Sequence, residues 1–148
     1  MKGNNSLKGG DLMKKIIAVC LCLIVLCSMP ISVYASSIQP YYNNVDRVNT
    51  VFTISDSGVA TVKNSYTGIT GTMKSAKIST KVQKKVGIIW VTVDNGSWTD
   101  NSSSNDFAKS HSVQLSGKGT YRAHTVFTFS GSGGSDDKIT KNVEKTYS

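Results

Sequence analysis

Two stretches decide the fold: Lys74–Lys85, KSAKISTKVQKK, and Thr120–Phe129, TYRAHTVFTF. In the first, Ala76, Ile78, Thr80 and Val82 share one parity, while Lys77, Ser79, Lys81 and Gln83 share the other. In the second, Tyr121, Ala123, Thr125, Phe127 and Phe129 fall on one parity. A period of two sends alternate side chains to opposite faces of a strand, so the apolar sets face a core and the lysines face water. A helix would spread Lys74, Lys77, Lys81, Lys84 and Lys85 along one side, but the β-branched content favours a strand.

Working outward, Arg47–Ser55 and Val59–Tyr66 read as strands joined by the turn chemistry of Asp56, Ser57 and Gly58. Gly68 and Gly71 interrupt before Met73. Val86 and Gly87 turn the chain into Ile88–Val93, centred on Trp90, which is expected to fill the core. Asp94–Asp106 is rich in Asn, Ser, Asp and Gly, contains Trp98, and is expected to be a loop. Ser112–Leu115 predicts a short strand and Gly117–Gly119 a corner. Ser130–Asp137 predicts a flexible tip, and Lys138–Tyr147 predicts a last strand with Ile139 and Val143 on one parity. Ser36–Asn44 reads as an irregular lead-in docked by Tyr41 and Tyr42. About seven strands at spacings near ten residues, with turn residues between them and no helical pattern, predict an all-β antiparallel β-sandwich. Leu115, Gly119, Tyr121 and Arg122 resemble the corner of immunoglobulin-like and fibronectin-like sandwiches, where a tyrosine opening a late strand bonds back to the preceding connection. Tyr121 and Trp90 are therefore expected to be structural.

Near the start, Met13, Lys14 and Lys15 precede an apolar run from Ile16 to Cys27, followed by Ser28, Met29, Pro30 and the small-residue pattern Val33-Tyr34-Ala35. A basic segment, an apolar segment and small residues before a cut predict a secretory signal peptide over residues 1–35; Met13 with its two lysines is the expected start, which makes residues 1–12 either a misassigned start or an extended n-region. The apolar core is well short of the roughly 20 residues that span a bilayer. Cys20, Cys22 and Cys27 all fall inside this segment, and none follows a small residue as lipid attachment requires. The expected mature domain, residues 36–148, is thus thiol-free, secreted and without a membrane span.

The chain has 148 residues and a formal charge of +8. Residues 36–148 hold 11 Lys and 2 Arg against 7 Asp and 1 Glu, an excess of +5. That excess favours an anionic wall or surface polymer, or acidic lipid, as partner, although charge of this size also serves solubility. Enzymatic chemistry finds little support. Only His111 and His124 are available as bases, no Gly-x-Ser-x-Gly elbow stands between a strand and a helix, and no cysteine remains after processing. His124 has the parity opposite to Tyr121 and Phe127 and is expected on the outer surface. Asp94, Asp100, Asp106, Asp136 and Asp137 lie in expected loops, and Glu144 has no acid partner for glycoside cleavage. Asp94, Asn95, Asp100, Asn101, Asn105 and Asp106 offer hard oxygens for calcium, but without EF-hand spacing, so a solvated loop is preferred and no cofactor or metal is expected. Lys77, Lys81 and Lys85 form an outward row without interleaved aromatics, which argues against nucleic acid.

The mature chain resembles small secreted proteins of uncharacterised function from Gram-positive bacteria of the clostridial type. The residues that carry the likeness are Pro40 with its aromatic neighbours, the Gly58 hairpin, Val82-Gln83-Lys84-Lys85 followed by Trp90, and Gly119-Thr120-Tyr121-Arg122. It departs from their pattern in the Asn- and Ser-rich stretch after Trp98 and in Val82, where leucine is usual. The resemblance implies a compact exported β-domain with no assigned activity. The expected function is a non-enzymatic extracellular binding module, meeting an extracellular protein or anionic polymer through Trp98 or through Lys77 and Lys81. A cationic membrane-active or toxin-like factor is the alternative.

Overall fold

The computed structural model describes residues 42–148. The expected signal peptide, its cysteines, the cleavage point and Tyr41 lie outside the described residues. Seven strands follow in order: β1 (Val45–Ile54), β2 (Val59–Gly68), β3 (Met73–Val86), β4 (Ile89–Ser102), β5 (Asp106–Gln114), β6 (Gly119–Gly131) and β7 (Asp137–Tyr147). No helix occurs among the described residues. All pairings are antiparallel and form two sheets, one ordered β1-β2-β5 and the other β4-β3-β6-β7. Their inner faces pack against each other as a β-sandwich.

The alternation of β3 and β6 sets the register. Ile78 pairs with Phe127, Thr80 with Thr125 and Val82 with Ala123, so one face of both central strands is buried. The core has two apolar clusters. One gathers Ile78, Phe127 and Phe129 with Tyr66 of the facing sheet, whose ring stacks on Phe107 at 5.3 Å and meets Phe129 edge-on at 5.0 Å. The other gathers Val82, Tyr121 and Ala123 with Phe52 and Val62.

Between the clusters lies a buried polar layer. Asn64 on β2 accepts from Thr50 at 2.9 Å and from Thr125 at 3.3 Å, and it donates to Thr80 at 2.8 Å. Thr80 and Thr125 also meet each other at 3.3 Å. These four residues come from four strands and both sheets, and all are buried. Every buried side-chain polar atom among the described residues has a partner, which removes the desolvation penalty that such a layer would otherwise carry.

Two stretches depart from the expected loops. The stretch 94–106 is strand as far as Ser102, and the connection to β5 is only residues 103–105. Ser97, Thr99 and Asn101 pair with Lys81, Ser79 and Lys77, so pairing to β3 overrides the low strand preference of these residues. A bulge sets Val93–Gly96 against Val82 alone, with Asn95 at φ 58°. The stretch 130–137 is not a free tip but a seat. The buried carboxylate of Asp137 accepts the backbone N–H groups of Asn43 at 2.9 Å and Asn44 at 2.7 Å. A side chain at Gly133 would collide with the Asn43 carbonyl, so glycine there permits the close approach. The lead-in is thus held by its asparagines, with Tyr42 only packed against the first cluster.

Asn64→Leu leaves the Thr50, Thr80 and Thr125 hydroxyls inside without their common partner. It is expected to cost about 2–4 kcal/mol in urea unfolding. A variant as stable as the parent would mean that the layer contributes nothing to stability.

Candidate functional site

Strand β3 carries Lys77, Ser79, Lys81, Gln83 and Lys85 on its outer parity, and the neighbouring strands complete a face around it. Lys81 pairs with Ser97 on one side and His124 on the other, and His124 with Asn142. Lys77 sits beside Asn101 and Thr128, and Thr128 beside Lys138. Lys77, Lys81, His124 and Lys138 thus rim one shallow groove with Val126 among its lining residues. The His124 ring is fixed by its Nδ1 contact with the Asn142 amide oxygen at 2.7 Å.

The same face continues to Trp90, which pairs with Lys85 and is half-buried. Trp90 was expected in the core. Its place opposite Lys85 puts it on the outer side, where the Arg122 guanidinium lies 4.4 Å from the ring centroid and the Lys85 ammonium 5.9 Å. Arg122 is held in turn by a 2.8 Å hydrogen bond from its Nε to the Gln83 side-chain oxygen Oε1. The outer face therefore presents Lys77, Lys81, Lys85, Arg122 and Lys138, with Glu144 as its acid.

Trp98 is not with them. It pairs with Thr80 and so faces the other sheet at the β4 edge, half-buried and stacked on His111 of β5 at 4.9 Å. Next to it the buried Asp100 carboxylate accepts from Lys109 through one oxygen and contacts His111 Nε2 at 2.7 Å through the other. This group joins the two edge strands across the sandwich, and strand parity alone did not suggest it because Asp100 fell in the expected loop. Burial alone would raise the Asp100 carboxyl, but the hydrogen bonds from Lys109 and His111, with their charges, outweigh it and hold it below its ordinary value. Asp100, one of the residues considered for calcium, points inward to Lys109 and His111. No group of three His, Cys, Asp or Glu suited to a metal occurs among the described residues.

Tyr121 is fully buried, and its hydroxyl donates to the Gly117 carbonyl four residues upstream. No family model, no curated protein and no solved structure matches the chain.

Asp100→Asn removes the charge that Lys109 and His111 surround, for an expected loss of about 1–3 kcal/mol at neutral pH. The folded carboxyl sits below its ordinary 3.8, so its contribution is present above that value and lost as pH falls through the lower folded-state value. Denaturation over a descending pH series checks this: the carboxylate's share of the gap between parent and variant should close only on the acid side.

Proposed function

We propose that this protein is a secreted, non-enzymatic binding module of immunoglobulin-like type. Its contact surface is the outer face of the four-stranded sheet, and its partner is an anionic polymer of the wall or cell surface. The fold type is supported by the strand order. Taking β1 to β7 as strands A to G, the sheets read A-B-E and D-C-F-G, which is the constant-type immunoglobulin arrangement with the fourth strand moved to the other sheet. The hydrogen bond from Tyr121, opening the sixth strand, to Gly117 has the form of the tyrosine corner. Export is supported by the run from Met13 to Ala35 and by the likeness to clostridial-type secreted proteins.

The observation that carries the partner class is the five cations against one acid on a single strand-built face. Lys77 and Lys81 stand about 13 Å apart along β3 at four residues' rise, with Lys138 two strands away. Such a spread of fixed charges suits a flexible chain of phosphates better than one compact ligand, and ordered Asn, Thr and Ser hydroxyls and amides between the lysines supply neutral hydrogen bonds.

Retention of the protein on a glycerol-phosphate wall polymer is expected to weaken roughly tenfold on Lys77→Glu with Lys81→Glu, and to fall steeply with added salt. Circular dichroism should be unchanged, because both side chains are exposed. Retention that ignores both the double variant and salt defeats the proposal.

A further inference from the structure

We infer that the β3–β4 hairpin is a membrane-docking finger whose apolar tip enters the interface of anionic lipid bilayers. The strands close through the two-residue turn Gly87-Ile88, with Gly87 at φ 61° in the first central position that such turns reserve for glycine. Ile88 takes the other turn position and is 96% exposed, with Ile89 at 58%, Val86 at 53% and Val91 at 46%. These are four of the five exposed large hydrophobics among the described residues. Turns are normally polar, and an isoleucine that is almost wholly exposed adds nothing to the core.

The hairpin overhangs the sandwich. Pairing of β3 with β6 ends at Lys84, while pairing with β4 runs on to Val86 and Ile89. Beyond Lys84 the parity that faces the core elsewhere carries Val86 and Ile89, and these two, with Val91 opposite Lys84, are exposed; Val86 and Val91 line an open cleft with Ser112, Val113 and Gln114 of β5.

Charge selects the occupant. The segment from Lys81 to Val93 holds three lysines and no acid. Lys84 and Lys85 stand directly behind the tip. Arg122 lies over Trp90, and Lys118 precedes Gly119, whose position touches the Lys84 side chain. The nearest acid along β4 is Asp94, one residue behind Val93 and set in the bulge. From the tip inward the order is therefore apolar side chains, then an indole flanked by cations, then the polar sheet. A bilayer presents the matching order of hydrocarbon, interface and phosphate. Ile88 and Trp90 are two residues apart, about 7 Å along a strand, within the roughly 5–10 Å depth of interfacial insertion. The overhang is far shorter than the 9–11 residues of a spanning strand, so the finger docks rather than crosses. A second copy is a poorer occupant, because tip-to-tip contact would bring Lys84, Lys85 and Arg122 of both chains together.

The finger shares Lys85 and Arg122 with the proposed polymer face but not Lys77. Lys77 is nine residues from Val86, about 30 Å along the strand and beyond the screening length of physiological salt. The chain has two tryptophans, and Trp98→Phe leaves Trp90 as the reporter. With vesicles of phosphatidylcholine plus phosphatidylglycerol, Trp90 emission should shift to the blue and be quenched by acyl chains brominated near the headgroup. Vesicles of phosphatidylcholine alone, or Ile88→Asp with Ile89→Asp, should weaken this response roughly tenfold with circular dichroism unchanged. If Trp98→Phe disturbs the fold, the same comparison in the parent chain is read from total emission. Lys77→Glu should leave the lipid response within about twofold while weakening polymer retention, which separates failure of the finger from failure of polymer binding. The inference is overturned if Trp90 responds to neither vesicle, if the Ile88/Ile89 variant is quenched like the parent, or if that variant instead abolishes self-association in the absence of lipid.

Discussion

The interaction on which the arrangement depends is the contact of one buried amide with three hydroxyls. Asn64 brings β1 and β2 of one sheet to β3 and β6 of the other through Thr50, Thr80 and Thr125. Apolar contacts between facing sheets are nearly indifferent to sliding, because valine, isoleucine and phenylalanine pack in many registers. A buried amide is not indifferent. Shifting the sheets by one pair of residues would set its polar atoms against Ile78 and Phe127 on one side or Val82 and Ala123 on the other, with hydroxyls stranded in turn. The layer thus discriminates between sandwiches of similar apolar burial.

The same level of the sandwich runs to both edges. Thr80 pairs with Trp98 on edge strand β4, and Asn64 pairs with Lys109 on edge strand β5. Two residues further along β4, Asp100 takes the charge of Lys109 and the imidazole of His111, while Trp98 covers that ring. Inward-facing charge on an edge strand discourages pairing with a foreign strand, and here it is answered across the gap between sheets. Fixing the edges in this way leaves the outer face of β4-β3-β6-β7 and the overhanging hairpin free to be shaped by other requirements.

Alternation made β3, β6 and the first hairpin legible, since a half-buried strand needs only local chemistry to show its period. Tyr121 was legible for the same reason, together with the glycines just before it. What stayed hidden depends on partners distant in sequence. Ser97 to Ser102 looks like a loop until β3 is laid beside it. The glycines of 131–134 look mobile until Asn43 and Asn44, some ninety residues earlier, arrive at Asp137. Trp90 is a different case. Taking Gly87-Ile88 as a two-residue turn places Trp90 opposite Lys85 by counting alone, so its register points outward although its type, a large aromatic on a strand, points to the core. Within the candidate site, the lysines followed from parity, whereas Arg122, His124 and Lys138 joined them only through the order of strands in the sheet.

A strand pair that outruns its sheet keeps its period but loses its cover, and this explains why one alternation yields two different surfaces. Along β3 from Lys77 to Lys81 the inward residues are buried by the facing sheet, so only the wet parity meets solvent. From Lys84 outward the facing sheet leaves an open cleft instead of close cover, and the same alternation exposes Val86, Ile89 and Val91. Had the overhang existed only to close a turn, polar residues on both parities would have served with less risk of aggregation. Apolar residues on the uncovered parity, isoleucine at the turn and lysines on either side of the strand behind it form a pattern that solubility does not require. A surface that is greasy at its depth and anionic at its rim would complete it.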